Sequence, residues 1–160
     1  MMNTEYKIFE QIFSGAKHHR GVLGYHNATT EEKKAWEEKQ TFDWEEHLNG
    51  KKIQGRSPVD ETTRMVEWIV YDIDIKYSPE KFCKKIWNEL GPTYFPIRTI
   101  NKKWRLFKWL DEPTDVREAN RIAKEIEEDI VKRLKIQVDT GHTLPTIPDE
   151  GKPGSWIFYP

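Results

Sequence analysis

The stretch Met65-Val66-Glu67-Trp68-Ile69-Val70-Tyr71-Asp72-Ile73-Asp74-Ile75-Lys76 decides how this chain is read. It is rich in β-branched and aromatic residues, the types that suit a pleated, half-buried surface. Side chains alternate across an extended strand, so a strand over 65–76 puts Val66, Trp68, Val70, Asp72 and Asp74 on one face. Glu67, Ile69, Tyr71, Ile73 and Ile75 fall on the other. Both carboxylates then lie on one side, as neighbours. Held a few ångströms apart in a partly buried sheet, they repel and resist ionisation unless a cation neutralises them. Hard oxygen donors without a nearby thiolate favour Mg²⁺ or Mn²⁺. A plainer reading of the same motif is two aspartates leaving a strand end into solvent, or paired to Lys or Arg.

Working outward from this strand, Ser78-Pro79 opens a helix, with a cap residue before proline at the first helical position. Phe82, Ile86 and Leu90 mark its buried face, and Gly91-Pro92 ends it. Two extended runs, Tyr94 to Ile100 and Trp104 to Leu110, are joined by Asn101-Lys102-Lys103 and predict a hairpin. Alternation sets Arg105, Phe107 and Trp109 on one face and Trp104, Leu106, Lys108 and Leu110 on the other. Trp104, Phe107 and Trp109 interleaved with cations resemble a stacking platform for bases, but helices covering the sheet would make them core.

Asp115 with Glu118 resembles a capping box, and Val116, Ala119, Ile122, Ala123, Ile126, Ile130 and Leu134 trace one helical face. A short strand, Lys135 to Asp139, a loop from Thr140 to Gly154 and a closing strand, Ser155 to Tyr159, complete the chain. Upstream, Ile8, Phe9, Ile12 and Phe13 predict an amphipathic helix over Thr4 to Ser14, stopped by Gly15. Residues 16–28 read as loop with a short strand at Gly21 to Tyr25. Thr29 to Gln40 and Phe42 to Leu48 read as polar helical pieces, followed by an Asn49-Gly50 turn. The expectation is an α+β domain with a mixed or antiparallel sheet flanked by helices.

At 160 residues, with seven Trp, six Tyr and seven Phe, the chain has the apolar area for one compact core. A net charge of -1 gives no global attraction to a polyanion, so a nucleic-acid site needs local clustering of the 26 Lys and Arg. One cysteine, Cys83, excludes an internal disulfide or a thiolate metal cluster; beside Phe82 and Ile86 it reads as a packing residue. No apolar run approaches the ~20 residues that cross a bilayer, and no hydrophobic signal region opens the chain, so a cytoplasmic protein is expected. His18, His19, His26 and His47 match no zinc spacing. No phosphate-binding glycine motif of a P-loop ATPase or dinucleotide domain is present.

Three segments together resemble the archaeo-eukaryotic primase superfamily, the primase-polymerases of phages, plasmids and bacterial conflict systems. Val66 to Asp74 resembles the family's strand ending in an Asp-x-Asp metal motif. Ile97 to Leu110, followed by Glu112-Pro113 and a long helix, is similar to the second-motif strand pair. Val138-Asp139, Thr143-Leu144-Pro145 and Gly154-Ser155-Trp156-Ile157 resemble the third acidic position and the loop and strand after it. The family places a histidine after the hairpin turn to contact the incoming nucleotide. Thr99 to Arg105 holds none, so no histidine is carried over.

The resemblance implies an RRM-like primase catalytic core over residues 51–160, with residues 1–50 as an N-terminal helical and loop part of the same domain. The chain reads as the front of a longer protein, and the sequence leaves open whether a helicase domain follows and which oligomer forms. It also implies template-directed nucleotidyl transfer on a DNA template. Asp72, Asp74 and, by carry-over, Asp139 would hold two Mg²⁺ or Mn²⁺ ions, while Lys102, Lys103 and Arg105 steady the nucleoside triphosphate. The alternatives are a primase-like nucleic-acid-binding module without activity and a metal-dependent nuclease. Lys51 to Ser57 reads either as a phosphate cradle or as a basic surface loop. His142 is the least of the candidates near the site.

Overall fold

The structure is a computed structural model that describes residues 4–15, 18–19, 29–31, 40–41, 43–51, 55–75, 77–99, 102–136, 138, 145 and 157–158. Its elements are α1 (Thr4–Ile12), β1 (His18–His19), β2 (Gln40–Thr41), α2 (Trp44–Leu48), β3 (Gly55–Arg56), β4 (Met65–Ile73), α3 (Pro79–Leu90), β5 (Tyr94–Arg98), β6 (Trp104–Asp115), α4 (Val116–Leu134) and β7 (Ile157–Phe158). The main sheet is antiparallel with strand order β4-β6-β5, and two short antiparallel pairs, β1 with β2 and β3 with β7, stand apart from it. The fold is α+β. The strand expected at Gly21 to Tyr25 lies outside the described residues. Ile136 and Val138, from the strand expected at Lys135 to Asp139, are buried in the core without forming a strand.

Two apolar layers sandwich the sheet because β4 and β6 are apolar on both faces. On one face Ile69, Tyr71, Ile73, Trp104 and Leu106 meet Phe82 and Ile86 of α3 and Ala119, Ala123, Ile130 and Leu134 of α4. Phe82 lies 4.6 Å from Trp104, ring centre to ring centre. The buried Tyr71 hydroxyl donates to Ala123 O at 2.9 Å, which satisfies the one polar group that its ring brings into this layer. On the other face Trp68, Val70 and Phe107 form an aromatic cluster with Phe13 and Trp44.

The helix ends follow the local chemistry. Asp115 caps α4 by accepting from Arg117 N at 2.9 Å. Its expected box partner Glu118 instead accepts from Arg121 at 2.9 Å. Lys135 closes α4 in the left-handed conformation at φ 54, with its N–H donating to Val131 O. Asp43 caps α2 through Glu46 N at 3.0 Å.

The described end of α1 is fastened from outside the helix. The last carbonyls of any helix lack intrahelical donors. Here Ile12 O accepts from Trp109 Nε1 at 2.7 Å, Ser14 O from Trp68 Nε1 at 2.6 Å, Phe13 O from Arg56 at 3.2 Å and Gly15 O from Arg56 at 3.2 Å. Gly15 takes φ 148 and lies against the chain at Ser57, where an added Cβ would stand 2.3 Å from Ser57 O. Only glycine fits that approach.

Four expectations are corrected. β4 stops at Ile73, not Lys76, because the chain turns at Asp74: Ile75 N donates to Ile73 O at 2.9 Å, a three-residue turn centred on Asp74. Val66 packs with Ile69 and Tyr71, not with Trp68 and Val70, because the β4–β6 register shifts between Val66 and Trp68 and reverses the alternation there. Cys83 is exposed, on the solvent side of α3. Ile8 and Ile12 are exposed, and it is Phe9 and Phe13 that α1 turns toward the cluster.

Candidate metal and nucleotide site at the end of strand β4

The site begins with the register. Asp72 stands directly opposite Arg105, and Arg105 in turn stands opposite Ile97 on β5. Directly opposed residues on antiparallel strands share a face, so Asp72, Arg105 and Ile97 form one row. The next row is Val70, Phe107 and Phe95. Phe13, just past the end of α1, covers Trp68, Phe107 and Trp109 by ring contacts at 5.5 to 6.2 Å, so the aromatic cluster closes that end of the face. The Asp72 row lies at its edge and is partly exposed to solvent.

Arg105 Nε donates to Asp72 Oδ1 at 2.8 Å, with side-chain exposures of 21% and 26%. Lys103 Nζ lies 2.8 Å from Asp74 Oδ1, each half exposed. Lys103 immediately precedes β6 and Arg105 is its second residue, and alternation continued across this short step points them the same way. They bring both carboxylates to one side of the sheet although Asp74 sits in the turn and not on the strand. The repulsion expected between the two carboxylates is relieved by two cations, one to each aspartate.

Lys102 is exposed in the β5–β6 connection at φ 62. Lys102 N donates to Thr99 O at 2.9 Å and Thr99 N to Lys103 O at 2.8 Å. A left-handed residue closing a short hairpin loop is the geometry glycine favours, so Lys102 is held there under mild strain. Asp139, His142 and most of the loop that follows lie outside the described residues. From that loop Pro145 is described, and its carbonyl accepts from Asn120 Nδ2 at 2.8 Å. Among the described residues no group of three His, Cys, Asp or Glu stands close enough to hold a metal ion.

Arg56 is not available to a phosphate. It is 4% exposed, bonded to Phe13 O and Gly15 O, and paired with Glu10 Oε1 at 3.1 Å. Lys52 to Gln54 lie outside the described residues. His47 is buried against Trp44, with ring centres 5.8 Å apart.

The residue that sequence reasoning missed is Phe95, 56% exposed although its register partner Phe107 is fully buried. Pro96 carried the signal. Proline in a strand marks an edge, because it has no N–H to give to a further neighbour.

No protein-family model matches the chain, and no curated protein matches its sequence. No helix among the described residues is long and apolar enough to cross a membrane.

Proposed function

We propose that this chain is a nucleotidyltransferase of the primase-polymerase type, acting on a DNA template with nucleoside triphosphates. The observation that carries the reading is the placement of Asp72 and Asp74 beside Lys103 and Arg105 at one open end of the sheet, in two pairs of 2.8 Å. Carboxylates and cations gathered at the solvent-facing end of a strand are what recognition of a metal–triphosphate requires. The element order supports it: β4, α3, β5, β6 and α4 with strand order β4-β6-β5 are the first five elements of a split β-α-β-β-α-β arrangement, the RRM-like core expected of a primase.

The donor set fits Mg²⁺ or Mn²⁺. Asp72 and Asp74 offer hard oxygens, and such ions take one or two carboxylates and complete their shell with water and substrate phosphates. Asp139 is the third carboxylate by resemblance. A bound divalent ion would polarise the phosphoryl group and neutralise charge developing on it.

The protein's own residues do the positioning. In the absence of substrate, Arg105 and Lys103 act as internal counter-ions that hold both aspartates in place. Asp72 and Asp74 would hold the metal of a metal–triphosphate, which would leave the two cations for the phosphate oxygens. Arg105 presents a planar fork for two of these, and Lys103 a mobile point charge. Lys102 stands at the tip of the same turn to reach the outermost phosphate.

Calorimetric titration of a deoxynucleoside triphosphate with Mg²⁺ or Mn²⁺ tests this reading. Binding that depends on the metal and disappears in a folded Asp72→Ala/Asp74→Ala variant is the expected result. Equal binding by both proteins would defeat the assignment.

A second reading draws on the same ion pairs. Because each aspartate already has a cation within hydrogen-bond distance, the sheet end is also complete as a structural feature. A primase-like module that binds nucleic acid without chemistry would show salt-sensitive DNA binding and no metal-dependent nucleotide affinity.

A further inference from the structure

The end of the sheet that carries Asp72 and Asp74 is electrically closed. Arg105 and Lys103 are each committed to one carboxylate, at 2.8 Å in both pairs, so two positive and two negative charges cancel there. An anion approaching a neutral cluster gains little from either cation, because each charge is already met by its partner. Arg105 also commits its Nε, one of the donors of the planar fork that a phosphate would use.

The backbones beneath these pairs are fixed, which leaves the side chains as the parts that can move. Arg105 and Asp72 are held opposite each other by the β4–β6 register. Lys103 is anchored by its carbonyl, which accepts from Thr99 N at 2.8 Å and from Thr99 Oγ1 at 3.2 Å. Asp74 is anchored by the turn that Ile75 N closes on Ile73 O. Residues 94–110 carry no carboxylate of their own, so the acids of both pairs are brought in by β4 and the turn after it. Pairs with side-chain exposures of 21% and 26%, and of 50% each, are weak in water and open when a stronger partner competes. Fixed backbones carrying weak side-chain pairs make a latch, closed by geometry and released by any change that removes the charge on the aspartates.

We propose that Asp72 and Asp74 are an autoinhibitory latch on the protein's own anion site. While both carry their charge they occupy Arg105 and Lys103, and neutralising them turns the same two cations into a binding site for a polyphosphate. The proposal deepens the proposed function by naming what regulates the site, and it rests on that reading for the identity of the anion as a nucleoside triphosphate. Metal and polyphosphate are then coupled, each raising the affinity for the other.

Inorganic tripolyphosphate tests the latch, titrated calorimetrically in chelator at low ionic strength so that no divalent ion takes part. Asp72→Asn/Asp74→Asn keeps the shape of both side chains and removes both charges, and it should bind tripolyphosphate roughly 10-fold or more tighter than the wild-type protein. Adding Arg105→Gln and Lys103→Gln to that variant should abolish the gain. Asp111→Asn/Glu112→Gln removes two exposed carboxylates further along β6 and should leave the wild-type affinity unchanged, which separates a released latch from a change in net charge. Should the paired Asn variant not fold, Asp74→Asn alone, at a half-exposed turn residue, should give part of the same gain. No gain in a folded Asn variant would overturn the proposal, as would a gain that survives loss of both cations or one that Asp111→Asn/Glu112→Gln reproduces. Calorimetry of a deoxynucleoside triphosphate with Mn²⁺ keeps the two proposals apart. A gain for tripolyphosphate without metal-dependent nucleotide binding by the wild-type protein supports the latch and defeats the polymerase reading. Metal-dependent binding without that gain does the reverse.

Discussion

Arg105 and Asp72 face each other across the β4–β6 pair, and the guanidinium Nε donates to the carboxylate at 2.8 Å. A divalent ion at Asp72 must displace this contact, so the cation and the metal compete for one carboxylate.

Arg105→Ala is therefore expected to raise the affinity of the nucleotide-free protein for Mn²⁺ while lowering its affinity for the metal–triphosphate complex. Stability should change by less than about 1 kcal/mol, because both partners are partly exposed to solvent. Calorimetry with Mn²⁺ alone and then with nucleotide reads both effects. Unchanged Mn²⁺ binding would count against Asp72 as a metal ligand.

The strained hairpin gives a second outcome. Lys102→Gly relieves a left-handed lysine and should stabilise the protein by about 1 kcal/mol, a rise in Tm of ~2–4 °C. If Lys102 also meets the triphosphate, nucleotide affinity falls in the same variant. A loss of affinity together with a gain in stability separates a functional lysine from a merely tolerated one.

Arg56→Ala should cost about 3 kcal/mol in chemical denaturation, since it leaves Phe13 O and Gly15 O without these donors and Glu10 without this cation. Arg56→Lys should recover only part of that, because one ammonium does not reproduce a planar fork reaching two carbonyls. Full rescue by lysine would mean that charge alone holds the contact.

Burial pushes the Tyr71 and Tyr94 hydroxyls above their ordinary value. The native state therefore keeps its protons where the unfolded chain releases them. Stability is intact below pH ~10 and is lost as pH rises beyond it, by up to roughly 1.4 kcal/mol per pH unit for each group. Tyr71→Phe should lower stability at neutral pH by about 1 kcal/mol, through the lost bond to Ala123 O, and flatten the alkaline decline. Urea unfolding on either side of pH ~10 tests it, and an unchanged slope would sink the assignment.

Periodicity made the helices and the hairpin legible. Phe82, Ile86 and Leu90 in α3 and Val116 to Leu134 in α4 are buried as their spacing implies, and Phe107 and Trp104 are core. What alternation alone does not supply is the point where a strand stops being a strand. The register shift beside Val66 and the turn at Asp74 are backbone events, set by partners on β6 and by hydrogen bonds between main-chain atoms, and no side-chain pattern in 65–76 encodes them. The Asp72 and Asp74 motif was legible as a motif. Its counter-ions were legible only as the two members of a basic turn that register happens to bring opposite. Phe95 was hidden for another reason: whether an apolar residue is core depends on how far a distant helix extends over it, and α1 stops short.

The fastening of α1 sets a rule for shortening this protein. Two indole N–H groups and one guanidinium reach out from β4, β6 and β3 to four carbonyls that only residues 12–15 provide. Remove the first fifteen residues and those donors are left at a face with Trp68 and Phe107 uncovered. A clone begun at residue 51 to isolate the Asp72 and Asp74 strand would thus expose the aromatic wall it was meant to present intact, and poor solubility of such a fragment would reflect a missing cover, whatever its capacity for chemistry.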